Sequence, residues 1–208
     1  MKAVLISIQS KWLELIAYGD KTIEIRKTRP NIDTPFKCYI YCTKGKPLLR
    51  HNIIDGKDII ANGKVIGEFV CDEVYNLVQA GAGIMFATEN LDLLEPQMFR
   101  DMSCLTDSQL ADYLGNKDGY AWHITDLVIY DEPRELSEFW AYNAELNKRF
   151  NDGEDCCAWG GCETENGCTN DCDTKSVLPC YQCWADWNGW CHKLTRPPES
   201  WQFVEEKE

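Results

Sequence analysis

The stretch LISIQSKWLELIAYGDKTIEIRK, residues 5–27, contains the signals of three consecutive elements. Its first residues continue an apolar run from the N-terminus, which is typical of a strand buried on both faces. Ser10 is a suitable cap for a short helix in which Trp12, Leu13 and Ile16 share one side, and Gly19 is a suitable end for it. The stretch therefore predicts a strand, a short helix and, after a turn, a second strand.

The second predicted strand carries charged side chains on one face. Because side chains alternate along a strand, Ile23 and Ile25 are expected on one face, and Glu24 and Arg26 on the other. Lys21 precedes this strand in the turn and can reach the same face. The charged face is either one wall of a binding cleft or an ordinary lattice of ion pairs exposed to solvent.

The remaining sequence predicts further strands over 36–43, 63–77, 119–130 and 200–206. Gly67, inside one of them, marks a bulge or a close approach of two backbones. Thr106 is expected to cap a helix that ends at Gly115. Because strands and helices do not alternate regularly, these elements predict an α+β fold, a small barrel of mixed strands with short helices.

Length and composition predict one domain, or one domain with a large insertion. The chain has 208 residues, of which 44% are apolar, so it can bury a full core. Its N-terminus lacks the apolar core of a signal peptide, and no run approaches the ~20 apolar residues that cross a bilayer. We therefore expect a cytoplasmic protein with no membrane contact.

Charge is distributed unevenly along the chain, whose formal net charge is −13. Residues 1–64 contain twelve Lys and Arg against six Asp and Glu, whereas residues 65–208 contain nine against twenty-eight. One interpretation is a solvated acidic surface; the other is a local basic face that attracts an anion while the acidic remainder repels polyphosphate. A long non-specific nucleic-acid groove is disfavoured in either case.

Eight of the twelve cysteines lie between Cys156 and Cys191, within the acidic segment 151–192. Aliphatic residues are few there, so the segment cannot easily build a core, and a reducing cytosol favours metal thiolates over disulfides. Six cysteines are the candidate ligands: Cys162, Cys168, Cys172, Cys180, Cys183 and Cys191. We predict zinc, which would stabilise the segment's fold, with an iron–sulfur cluster or unliganded thiols as alternatives. The acidic surroundings favour a protein partner here.

The opening stretch resembles ASCH-domain proteins, relatives of the PUA fold, in its G-x-K-x-x-E-x-R motif of Gly19, Lys21, Glu24 and Arg26. Residues 117–139 and 193–206 resemble the late strands of prokaryotic and prophage-encoded members. The resemblance implies a PUA-like barrel over 1–150 and 193–208, interrupted by the insertion 151–192. It also implies a cleft, lined by the motif, for RNA, a nucleotide or a modified nucleoside.

The resemblance implies roles for the motif residues. One ASCH subfamily hydrolyses the acyl amide of N4-acetylcytidine with a Lys, and a Thr three residues later; another has nuclease activity. This sequence keeps the Lys as Lys21 but has Glu24 in place of the Thr. If the protein is an enzyme, Lys21 and Glu24 are the expected catalytic residues of a hydrolase acting on a nucleoside amide or on RNA.

Three aromatic residues are further candidates for ligand binding. Trp12 and Trp122 are either platforms on which a base stacks or tryptophans of the core. His123 is either a proton carrier at neutral pH or a packed side chain. With Lys21, Glu24 and Arg26 they complete the expected ligand site. The sequence is compatible with three hypotheses: a binding module, a hydrolase acting on the same ligand class, or a phage-type protein-interaction module that uses the insertion.

Overall fold

The computed structural model describes residues 2–45, 49–51, 58–80, 83–88, 93, 95–115, 117–141 and 194–205. The insertion predicted over 151–192, with all six predicted metal ligands, lies outside the described residues. The bounds of that insertion therefore stay a prediction.

Twelve strands and three α-helices are described, with one 3-10 turn over Leu136–Glu138. The strands are β1 (Lys2–Ile8), β2 (Ile23–Arg26), β3 (Phe36–Cys42), β4 (Leu49–His51), β5 (Asp58–Ile60), β6 (Val65–Cys71), β7 (Val74–Ala80), β8 (Gly83–Ala87), β9 (Gly119–His123), β10 (Thr125–Arg134), β11 (Trp140–Ala141) and β12 (Trp201–Glu205). The helices are α1 (Ser10–Tyr18), α2 (Pro96–Ser103) and α3 (Asp107–Leu114). None of these helices is long and apolar enough to span a bilayer.

The strands form a six-stranded sheet in the order β10-β6-β3-β1-β12-β11, a four-stranded sheet in the order β2-β9-β7-β8, and the pair β4-β5. In the six-stranded sheet β1 and β3 are parallel, whereas the other neighbours are antiparallel. The predicted α+β class with a mixed sheet is confirmed. The described strands do not close into a barrel; they form separate sheets.

Hydrophobic side chains pack these elements in layers. One core, which includes Ile6, Ile40 and Trp122, joins the two large sheets and α1. A second core covers the opposite face of the six-stranded sheet with the 3-10 turn and Leu194. A third, which contains Ile23, packs α2 and α3 on the outer face of the four-stranded sheet. The outer face of β2 is therefore directed at helices, and its inner face at the six-stranded sheet.

Local sequence signals located most of these elements correctly. Gly19 ends α1 in the left-handed conformation, and Thr106 and Gly115 bound α3 as expected. Gln9, not Ser10, is the N-cap of α1, and it makes no side-chain capping bond. Gly67 lies where a β-carbon would clash with the Val128 carbonyl oxygen, so the expected close approach of two backbones is confirmed.

The strand predicted over 63–77 is two strands in different sheets. β6 pairs with β3 and β10, and β7 pairs with β8 and β9, so the chain changes sheets at Asp72 and Glu73. The predicted strand over 119–130 is likewise divided into β9 and β10. Both corrections have one cause: an apolar run predicts extended backbone but not the sheet that the backbone joins.

Candidate functional site

A left-handed turn brings the charged motif onto the inner face of β2. Gly19 adopts a φ of 81°, which favours glycine, and its amide donates to the Ile16 carbonyl. The chain then continues through Lys21 into β2, where Glu24 lies opposite Trp122 and Arg26 opposite Tyr120. Glu24 and Arg26 therefore share the strand face that the sequence predicts.

Lys21, Glu24 and Arg26 are buried, with exposed fractions of 2%, 7% and 5%. Lys21 Nζ lies 3.5 Å from Glu24 Oε2, and Arg26 Nη2 lies 3.1 Å from Glu24 Oε1. One carboxylate thus bridges two cations. The alternative of a solvent-exposed ion-pair lattice is wrong, since all three side chains are removed from bulk water.

Backbone carbonyls from distant parts of the chain hold both cations. Lys21 Nζ donates to the Ser103 carbonyl at 2.7 Å, at the end of α2. Arg26 Nη2 donates to the Ser7 carbonyl at 2.6 Å, in β1. Arg26 Nη1 is 3.5 Å from both the carbonyl and the hydroxyl of Ser200, just before β12. The triad of Lys21, Glu24 and Arg26 therefore joins three separate segments of the fold.

These residues line a cavity of about 430 Å³. Its volume is within the range of small-molecule sites, about 300–1,000 Å³. The polar and aromatic residues that line it are Ser7, Gln9, Lys11, Trp12, Lys21, Glu24, Arg26, Thr43, Gln109, Asp112, Tyr113, Glu199 and Ser200. Three cations face three carboxylates, so the charged lining has no formal net charge. The motif's charges are inside, and Lys11, Asp112 and Glu199 are exposed at the rim.

Burial and charge act in opposite directions on Lys21. Removal from water lowers the pKa of its ammonium group, and the Glu24 carboxylate partly reverses this effect. Arg26 is incompletely satisfied: its buried Nε hydrogen-bonds to no group in the described part of the chain. A buried donor without a partner is costly, and Nε itself is closed off from solvent. Arg26 Nη1, whose two contacts with Ser200 are both 3.5 Å long, is the most weakly held of the terminal donors in the triad.

The cavity includes one of the three predicted aromatic candidates. Trp12 is half-buried and lines the cavity, with Lys11 Nζ 4.3 Å and Lys21 Nζ 5.5 Å from its ring centroid. Trp122 is fully buried in the core and packs edge-on against Phe36, so a base cannot stack on it. Of the two predicted roles of Trp122, a platform for a base or a tryptophan of the core, the second is therefore the one that the structure shows.

His123 lies on the other face of β9 from Trp122. Its Nδ1 is 2.7 Å from Asp72 Oδ1, and its ring contacts Tyr75 edge-on. It does not line the cavity formed around the motif. The structure therefore separates His123 from Lys21, Glu24 and Arg26.

Helix α3 supplies cavity residues that sequence reasoning did not identify. Gln109, Asp112 and Tyr113 line the cavity from this helix. Burial raises the pKa of the Tyr113 hydroxyl; the charge of Arg26 and a hydrogen bond from it act in the opposite direction, and Glu24 raises it. The signals at Thr106 and Gly115 predicted the helix, but a lone helix does not reveal which strand it covers.

Among the described residues, no group of three or more His, Cys, Asp or Glu could hold a metal ion. Cys38, Cys42 and Cys71 are buried free thiols, and Cys104 is partly exposed. The predicted zinc ligands lie outside the described residues, so zinc stays a prediction.

The sequence matches no protein-family model. It matches none of the curated proteins either. Solved structures similar to this chain include three crystal structures of ASCH from Zymomonas mobilis, one without substitutions and two single-residue variants. They are 17% or 18% identical and have TM-scores of 0.43 to 0.45. The matches cover 64% or 65% of this chain and 73% to 77% of theirs. These structures carry the family name of the resemblance seen in the sequence.

Proposed function

We propose that the cavity binds a nucleobase, natural or modified, presented as a nucleoside, a nucleotide or a unit of a short single-stranded RNA. Lys21, Glu24 and Arg26 are the polar contacts. The observation that supports this proposal most is the burial of all three charged residues against one cavity of ligand size.

Stability alone does not explain this arrangement. Taking charges out of water costs several kcal/mol per ion, and ion pairing often fails to recover that cost. Buried ionisable groups with a perturbed pKa, such as Lys21, cluster at functional sites. A triad that opens onto a cavity therefore favours recognition of a polar molecule over simple reinforcement of the core.

The charges favour a base over a phosphate as the group that enters. Glu24 engages both cations of the triad, so neither is an independent phosphate ligand. The exposed rim contributes Lys11 against Asp112 and Glu199, which gives a formal charge of −1 there. A base edge fits better, because its carbonyl can accept from Arg26 and its exocyclic amine can donate to Glu24. Any phosphate would remain outside.

Arg26→Ala tests the proposal. Binding of uridine, cytidine, adenosine, guanosine, N4-acetylcytidine and a short RNA is measured by calorimetry with the full chain. The variant is expected to weaken binding at least about tenfold, since hydrogen bonds to charged groups contribute about 1.5–3 kcal/mol. Arg134→Ala, in β10 away from the cavity, is the matched control. Unchanged affinity of Arg26→Ala for every molecule that the wild type binds would refute the proposal.

Salt provides an independent measurement. Because phosphate is expected to stay outside, the affinity for the short RNA should change less than about twofold over a roughly tenfold range of salt. A bound phosphate that displaces counterions would instead lower the binding constant as salt increases. The logarithm of the binding constant would then fall against the logarithm of the salt concentration with a slope of about −0.7 per neutralised charge in a single strand. A steep slope would show that phosphate enters the cavity.

A hydrolase acting on the same ligands is a second candidate. Lys21 favours it, because a lowered pKa makes a lysine more available as a base or nucleophile at neutral pH. The test is incubation with N4-acetylcytidine and labelled RNA, with Lys21→Met and Glu24→Gln as variants. Turnover that is lost in both variants would support an enzyme; no turnover, or turnover unaffected by either, would argue against it.

The Cys-rich segment remains the basis of separate predictions. Its cysteine spacing supports zinc, and its acidic composition supports a protein partner. A cytoplasmic location would keep its thiols reduced and able to bind a metal. Elemental analysis of the purified chain tests for the metal. A pull-down with and without residues 151–192 tests for the partner.

A further inference from the structure

The cavity lining described by the structure includes two aromatic side chains, Trp12 from α1 and Tyr113 from α3. A nucleobase gains affinity by stacking on such a ring. The two rings differ in the cations that lie beside them and in how easily a base could displace those cations.

Two lysine ammonium groups already lie close to the Trp12 ring. Lys11 Nζ and Lys21 Nζ lie 4.3 Å and 5.5 Å from its centroid, within the reach of about 6 Å over which a cation interacts with a ring. Lys21 cannot move away easily, because it is bound to the Ser103 carbonyl and paired with Glu24. A base that stacked on Trp12 would have to compete with a fixed ammonium group.

Tyr113 is more accessible and is linked to the recognition groups. Its exposed fraction is 39%, and the cation near its ring, Lys27 at 5.2 Å, belongs to an exposed side chain that can move. Tyr113 and Arg26 line the same cavity, and the charge of Arg26 opposes the effect of burial on the pKa of the Tyr113 hydroxyl, so the ring lies near the guanidinium. An aromatic face and a guanidinium thus line the same cavity.

We infer that Tyr113 is the stacking residue that selects a planar heterocycle: the ligand's ring packs on Tyr113 while a carbonyl of the same ring accepts from the Arg26 guanidinium. This inference rests on the proposed function and adds which residue determines specificity for an aromatic ring. A sugar has no planar face, and a saturated base has lost most of it, so both should be discriminated against.

The experiment compares uridine with dihydrouridine, which keeps both carbonyls but lacks the planar ring, by calorimetry on the full chain. The wild type should prefer uridine. Tyr113→Leu should weaken uridine binding about 5- to 150-fold and abolish the preference. Tyr113→Phe and Tyr113→Trp keep the ring and should retain the preference, although loss of the hydroxyl can alter the overall affinity. Tyr18→Leu, which removes an exposed ring of α1 outside the cavity, is the matched control, with a change of less than about threefold. Trp12→Leu is measured beside it to compare the two rings of the cavity.

The outcomes separate the two proposals. If Arg26→Ala loses uridine binding but Tyr113→Leu keeps both affinity and preference, this inference is wrong and the proposed function stands. A larger loss in Trp12→Leu than in Tyr113→Leu also overturns it, since Trp12 would then be the platform. If the wild type binds no nucleoside, nucleotide or short RNA, the proposed function fails and this inference with it. Thermal unfolding of each variant excludes loss of the fold as the cause.

Discussion

Glu24 is the residue on which the two inner cations of the cavity depend. Its Oε2 pairs with Lys21 and its Oε1 with Arg26, and all three side chains are buried. Removing the carboxylate would leave two like charges close together in a medium that solvates them poorly. We therefore expect the largest effect of any single charge change in the described part of the chain at this position.

Glu24→Gln keeps the shape of the side chain and removes its charge. We expect it to lower the free energy of unfolding by about 3–5 kcal/mol, which is typical when one partner of a buried pair is lost. Urea denaturation measures this value. The control is Glu138→Gln, whose exposed pair with Arg134 should contribute less than about 1 kcal/mol. Equal effects of the two substitutions would contradict the prediction.

For a single residue, the sequence predicts the strand face on which its side chain lies but not the groups that surround that side chain. Strand alternation is local, so it correctly places Glu24 and Arg26 on one face. The groups that bury the triad are remote: Ser103 is 82 residues from Lys21, and Ser200 is 174 residues from Arg26. No local pattern contains such contacts, and for the same reason Tyr113 could not be identified as a cavity residue.

Strand β6 depends on one glycine for its place between β3 and β10. At Gly67 a β-carbon would clash with the carbonyl oxygen of Val128 in β10, and it would also lie 3.2 Å from Ile129 Cα. Because both are backbone atoms, relief requires β10 to move rather than a side chain to rotate. Gly67 is thus a requirement of sheet assembly.

Gly67→Ala is expected to lower the free energy of unfolding by at least about 1–3 kcal/mol, the usual cost of overpacking. Urea denaturation checks the value, and amide hydrogen exchange should show reduced protection in β10. Gly45→Ala is the control, because a β-carbon there would meet no atom of the described chain within 4 Å. A loss no greater than that of the control would show that β10 adapts without cost.

Element boundaries were predictable where a local signal sets them. Thr106 accepts from the Gln109 amide and Gly115 is left-handed, so the bounds of α3 follow from its own residues. The division of 63–77 was not predictable, because β6 and β7 obtain their partners from β3, β10, β8 and β9. Strand pairing, not the residues at 72 and 73 alone, determines where one sheet ends.

The charge asymmetry of the sequence is partly cancelled in the folded chain. Lys37 Nζ lies 3.0 Å from Glu68, and Lys64 Nζ lies 2.7 Å from Glu135. Lys21 and Arg26 likewise pair with Glu24 in the cavity. The basic N-terminal third therefore does not present all of its charge to solvent, and the local basic face, one of the two interpretations of the counts, is partly neutralised.

Buried thiols should make the whole fold sensitive to alkaline pH. Burial raises the pKa of Cys42 to about 11 and that of Cys71 to about 12, from 9.0. Because the unfolded chain loses these protons first, stability is fully present below pH 9.0 and falls as pH rises toward the folded values. The expected slope is about 1.4 kcal/mol per pH unit for each thiol.

Urea denaturation at about pH 8 and about pH 10 measures this effect. In Cys71→Ala the free energy of unfolding should fall less between the two pH values than in the wild type, even though the variant is less stable at both pH values. Cys104→Ala, which alters a partly exposed thiol, is the control and should change the slope less. An unchanged slope in Cys71→Ala would contradict the prediction.

Strand β12 lies between β1 and β11, and Ser200, which directly precedes it, contacts Arg26 and Ser7. During synthesis the ribosome therefore makes the first wall of the cavity about two hundred residues before the last one. A nascent chain has β1 and β2 outside the exit tunnel while the guanidinium of Arg26 still lacks its Ser200 contacts. Residues 199 and 200, which complete the lining of the cavity, therefore emerge after all of its other lining residues.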